Sequence, residues 1–166
     1  MSMNYSSLAV ALADRPQAAA GAAEPLQVST RFGVYEVDAD KLLRMERGLL
    51  GFPQSASYAL LDLPGEQGQA FRLLQNVDDA SIGFVVLPLG GDLAKDAEAD
   101  LQAICEQRHM RREDAVFLLI ATLRPKAEGG LDITVNRRAP VLIDTQRMTG
   151  RQVVLNDSRY EVQFQL

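Results

Sequence analysis

From Val28 onward the apolar positions fall in short clusters broken by turn residues, a pattern that predicts short strands. Residues 28–37 read as two strand pieces around Gly33, with Phe32, Val34 and Tyr35 as β formers. Further strands are predicted over 42–46, 58–63, 72–75, 115–123, 131–136, 141–144 and 152–155. The run 82–87 is continuously apolar and suits a strand buried on both faces. Met148-Thr149-Gly150 is predicted to make the turn between the strands at 141–144 and 152–155. Asp78-Asp79 is assigned to a turn, and Asn156-Asp157-Ser158 to a second polar turn.

After that turn Tyr160, Val162, Phe164 and Leu166 alternate with Glu161, Gln163 and Gln165. A period of two assigns the first set to the core and the second to solvent. Only the stretch 96–107 has a helical period, with Ala97, Leu101, Ile104 and Cys105 at spacings of three and four. Asp96, Glu98 and Asp100 sit in its first turn, where the helix dipole favours negative charge. Seven to nine short strands and one short amphipathic helix predict a mainly β fold, a compact β-barrel-like or sandwich single domain. Residues 1–25 form an alanine-rich tail expected to be disordered, and 26–166 the β-rich domain, expected to bind protein.

Composition narrows this picture. The chain has 166 residues, 47% of them hydrophobic, enough for a core without staples. Cys105 is the one cysteine, which fits a reducing compartment, so a cytoplasmic protein is expected. The apolar stretch 8–13 ends in Ala11-Leu12-Ala13, but no basic residue precedes it and it is too short for a secretion signal. No segment offers the ~20 apolar residues of a membrane span. The net charge of −5 argues against direct nucleic-acid binding and favours a basic protein partner.

Cys105 and His109 lie four apart, which on a helix would bring thiol and imidazole together in a small β-barrel enzyme or ligand binder. Against this, Cys105 continues the apolar stripe and is better read as a core residue, with His109 exposed. Two ligands are too few for a structural zinc site. Gly48 and Gly51 lack the Lys-Ser/Thr of a phosphate loop, and Ser158 lacks the glycines of a nucleophile elbow. The doublets Arg111-Arg112 and Arg137-Arg138 are read as solvated.

Three segments together resemble a known family. Gly48-Leu49-Leu50-Gly51-Phe52-Pro53 is similar to the Gly-x-Pro-Gly-Phe turn of the FliW flagellar assembly factors, with Leu50 in place of the proline. Val135-Asn136-Arg137-Arg138-Ala139-Pro140-Val141-Leu142-Ile143-Asp144 resembles that family's Asn-Leu-x-Ala-Pro-hydrophobic strand. Arg147 through Gly150-Arg151-Gln152-Val153-Val154-Leu155-Asn156 resembles its Arg-x-x-Gly-x-Gln-hydrophobic strand.

The resemblance implies a non-enzymatic factor that binds flagellin in the cytoplasm. It also implies binding of CsrA, the RNA-binding repressor of flagellin translation, so that flagellin export frees the factor to sequester CsrA. No cofactor and no metal are implied, and the free protein is expected to be a monomer. The expected contact residues are Asp96, Glu98 and Asp100 on the helix, with Asn156, Asp157 and Tyr160 near the C-terminus. Phe52 is expected to be a core anchor.

Overall fold

The computed structural model describes residues 24–65 and 70–166. Except for Glu24 and Pro25, the expected N-terminal tail lies outside the described residues. The first six strands are β1 (Leu26–Thr30), β2 (Gly33–Val37), β3 (Leu43–Met45), β4 (Ser57–Asp62), β5 (Arg72–Asn76) and β6 (Gly83–Pro88). Helix α1 (Glu98–Gln107) follows, then β7 (Ala115–Pro125), β8 (Leu131–Val135), β9 (Val141–Asp144), β10 (Thr149–Gln152) and β11 (Phe164–Gln165). The described residues thus hold more strands than the seven to nine expected, because several are only two to four residues long.

The sheet closes on itself. Neighbours run β7-β6-β5-β4-β3-β10-β9, and β9 returns to pair with β7. All these pairings are antiparallel except β3 with β10, which is parallel. Closure depends on the 11-residue β7. Its start pairs with β9, from Ala115 opposite Asp144 to Leu118 opposite Val141. Its end pairs with β8, from Ala121 opposite Val135 to Pro125 opposite Leu131. A closed ring removes the free edges that an open sheet would expose.

Because side chains alternate along a strand, each wall serves two cores. Inside the barrel pack Leu43, Met45, Tyr58, Leu74, Val86, Leu118, Val141 and Ile143. Outside one flank, Ala59, Leu61 and Leu73 are covered by Val28 and Val37 of the β1–β2 hairpin. Outside the other flank, Leu87, Phe117, Leu119 and Leu142 are covered by Ala97, Leu101 and Cys105 of the helical segment and by Val153, Leu155 and Tyr160. Strands with two apolar faces therefore read in sequence as unbroken apolar runs. In β6 only Val86 and Leu87 are fully buried, so the two-faced burial expected for residues 82–87 holds for part of that run.

Three local expectations need correction. Thr149 and Gly150 belong to β10, and the turn lies before them, at residues 145–148 with Met148 at φ 51°. Regular pairing then stops at Gln152, although the amides of Val153 and Leu155 still donate to the Pro140 and Arg138 carbonyls. The facing segment cannot return those bonds: Pro140 has no N–H, and the Arg138 and Ala139 amides donate to Asn136 Oδ1.

The C-terminal alternation also fails. Tyr160 is 1% exposed, but Val162 and Leu166 are 53% and 47% exposed. A turn at Val162-Gln163 interrupts the extended backbone and leaves only Phe164-Gln165 paired, with β8.

Phe52, finally, is no core anchor. It is 38% exposed and rests edge-on against Phe84, with ring centres 5.3 Å apart. Its turn demands glycine at Gly48, where φ is +63° and a Cβ would sit 2.1 Å from the Phe52 carbonyl oxygen. The expected Asp78-Asp79 turn is present, capped by Asn76 Oδ1, which accepts from both amides at 3.0 and 2.7 Å.

Candidate protein-interaction site

Helix α1 lies on the barrel because Leu101 and Cys105 recur on one face and are fully buried. Its N-cap, Ala97, makes no side-chain capping bond, so the negative charge at this end comes from Asp96, Glu98 and Asp100. Each of these carboxylates meets an arginine from a distant part of the chain. Asp96 pairs with Arg137. Glu98 takes two bonds from Arg112, at 2.8 and 3.1 Å. Asp100 accepts from Arg159 and from the Tyr160 hydroxyl.

Arg137 is central to this network. Its side chain is 8% exposed and also donates to the Leu93 carbonyl at 3.0 Å. The guanidinium sits over the rings of Phe164 and Tyr160, at 4.9 and 5.7 Å from their centroids. Its Nε has no hydrogen-bond partner, a gap that those ring faces partly offset. The reading of Arg137 as solvated is thus overturned. Val135, Arg137 and Ala139 share a buried face by period two, and a long basic side chain on that face can reach the helix. Arg112, expected to be solvated, is instead half-buried and stacks on Phe117 at 5.3 Å.

Tyr160 is the buried post of the site. Its hydroxyl lies 3.2 Å from the Asp96 carbonyl as well as against Asp100. Burial first, then the bond to Asp100 and its charge, push the phenol up to about 12, with Arg159 opposing. The same bond, helped by Arg159 and resisted by desolvation, holds Asp100 below the usual carboxylate range. Asp157 belongs to the network through Arg159: its Oδ1 accepts the Arg159 amide at 2.9 Å and its Oδ2 the Nε at 3.2 Å. Asn156 is exposed and stands outside it.

The structure therefore gathers Asp96, Asp100, Asp157 and Tyr160 around Arg137 and Arg159, ties Glu98 to Arg112, and leaves Asn156 apart. The arginines are what sequence reasoning missed. Their number in the last third of the chain was visible, but no local period tells which acid each one meets.

The thiol–imidazole alternative finds no geometry to support it. Helix α1 ends at Gln107, and His109 is exposed in a left-handed conformation at φ 53°. Cys105 points into the core, and burial pushes its thiol up, the opposite of what a nucleophile needs. Among the described residues no group of three or more His, Cys, Asp or Glu side chains could hold a metal ion. No helix among them is long and apolar enough to cross a membrane.

Residues 27–166 match the sequence profile of the FliW protein family. The flagellar assembly factor FliW of Syntrophus aciditrophicus is 30% identical over 149 residues, covering 83% of this chain and 85% of the relative. That of Natranaerobius thermophilus is 33% identical over 139 residues, covering 83% and 89%. A crystal structure described as the flagellar assembly factor FliW shares the fold, with a TM-score of 0.64 at 24% identity over 84% of this chain and 95% of that one.

Proposed function

The chain belongs to the FliW family of flagellar assembly factors, and from that premise we propose that it works by binding flagellin in the cytoplasm and by sequestering a CsrA-type repressor of flagellin translation. The observation that carries the reading is the match over residues 27–166, which takes in every described strand and the acidic helix but for Leu26 at the start of β1. Both activities are protein binding and need no catalytic group. A repressor that binds RNA presents basic surface, and the net charge of −5 favours its approach.

The proposed contact surface is the outer face of the network. Asp96, Glu98, Asp100 and Asp157 hold internal arginines, but their side chains remain 42–55% exposed. A basic partner can bond the free lone pairs or take over from Arg112 and Arg159. Asn156, exposed and next to Asp157 in the chain, is proposed as an additional contact outside the network. Tyr160, being buried, contributes by fixing Asp100 and not by touching the partner.

The test is calorimetry of the purified protein with flagellin and with CsrA from the same organism, at two salt concentrations. Glu98→Gln with Asp157→Asn removes two exposed charges and leaves the buried Arg137 paired. This double variant is expected to bind CsrA roughly tenfold more weakly and with a flatter salt dependence. Unchanged affinity in a folded sample would move the contact surface elsewhere. No binding of the wild type to either protein would end the regulator reading.

A further inference from the structure

At the far end of α1, about 15 Å from its acidic first turn, the helix terminus, Glu46 and strands β9 and β10 border an open cleft of about 310 Å³. The cleft has an apolar floor and a charged wall. Leu142 is buried and Met110 half-buried. The wall holds Arg108, Arg147 and Arg151 against Glu46 and Asp144, an excess of cations.

The two acids are not equally available. Asp144 is fully engaged: it takes Arg147 Nη1 at 2.7 Å and the Gln146 and Arg147 amides at 2.9 Å each. Glu46 makes only a loose contact with Arg151, at 3.5 Å. The Arg108 amide closes the helix on the Cys105 carbonyl at 3.1 Å, but its guanidinium has no hydrogen bond or ion pair among the described residues. Burial, then the charge of Arg151, pull its guanidinium below the ordinary range, and Glu46 offsets only part of this. Arg108 is exposed at this cleft, and its guanidinium, beside that of Arg151, bonds to no carboxylate among the described residues.

We propose that this cleft binds a small aliphatic carboxylate, with Arg108 and Arg151 gripping the carboxylate and Leu142 and Met110 receiving the stem. The fork of donors on each guanidinium matches the two oxygens of a carboxylate, and the floor discriminates against anions that have no apolar part. The site is independent of the regulator reading, since it uses none of the helix's first-turn acids.

The experiment is a titration followed by amide chemical shifts, with hexanoate, hexanamide and inorganic phosphate as separate probes. Hexanoate should give saturable shifts at Met110, Thr149 and Gly150, whereas hexanamide and phosphate should each act at least roughly tenfold more weakly. Arg108→Gln removes no internal bond and should keep the native spectrum while weakening hexanoate by about tenfold. Equal shifts from hexanamide would remove the carboxylate from the proposal, and equal shifts from phosphate would remove the stem. An unchanged hexanoate affinity in R108Q, or no saturable shift with any probe, would overturn the site.

Discussion

The β1–β2 hairpin lies over Ala59, Leu61 and Leu73 through apolar contact from Val28 and Val37, whereas α1 and the C-terminal segment cover the opposite flank with apolar contact and a web of charged bonds. The hairpin's side-chain hydrogen bonds, Gln27 to Glu36 and Thr30 to the Gly33 carbonyl, stay within the ribbon. It leaves Phe32 and Val34 exposed. On the helix flank, bonds run from Asp96, Glu98 and Asp100 to residues 14 to 60 positions away. Apolar area is tolerant of small shifts, but a bidentate or buried charged bond accepts one geometry. The hairpin is thus held by area, and the helix flank by area with a fixed register. The surface proposed for partners sits on the flank whose shape is specified.

The largest expected effect removes the post of the specified flank. Tyr160→Ala takes away a buried ring that Arg137 and Arg159 stack on and a hydroxyl that holds Asp100. Urea unfolding should show a loss of about 3–5 kcal/mol. A loss under about 1 kcal/mol would mean that α1 is held by its apolar stripe alone.

Next comes the hairpin. Val28→Ala removes two methyl groups from a fully buried position and should cost about 2 kcal/mol. If area alone attaches the ribbon, native-state hydrogen exchange should speed up over residues 26–37 and stay slow in β5 and β6. Faster exchange throughout the ring would show that both flanks open together and would erase the contrast.

The smallest effect separates the two kinds of cover by pH. Tyr160→Phe keeps the ring and should cost about 1 kcal/mol at neutral pH. In the native protein the Tyr160 phenol is raised to about 12, so its contribution is present below the ordinary value near 10. It is lost as pH climbs from there to about 12. Asp100 is lowered, so its contribution is present above the usual carboxylate range and is lost as pH falls through its folded value. Stability measured by urea unfolding across pH should therefore fall at both ends. In the Phe variant the alkaline fall should shrink, and the acid fall should flatten because the main cause of the Asp100 shift is gone. Identical pH profiles for the two proteins would show that the hydroxyl bond does not couple to folding.

Much of this was legible one segment at a time. Most strand positions, helix α1, the core role of Cys105 and the turn at Asp78-Asp79 follow from period and turn chemistry among near neighbours. Such readings fail where a distant partner decides. The sequence predicts a strand over 152–155, but β10 ends at Gln152 because the facing Pro140 has no N–H to return a ladder bond. Arg137 reads as solvated from its neighbours in sequence because its acid lies 41 positions earlier.

By itself, then, the sequence determined which segments extend, which one coils, and that strands carry apolar residues on both faces, since these depend on side-chain period. It also carried the family motifs in their order. Only the tertiary structure decided that β3 and β10 would run parallel to close the ring, and that Asp96, Glu98 and Asp100 would each meet an arginine. Those outcomes depend on which residues closure of the chain brings within a few ångströms, and neither period nor composition encodes that.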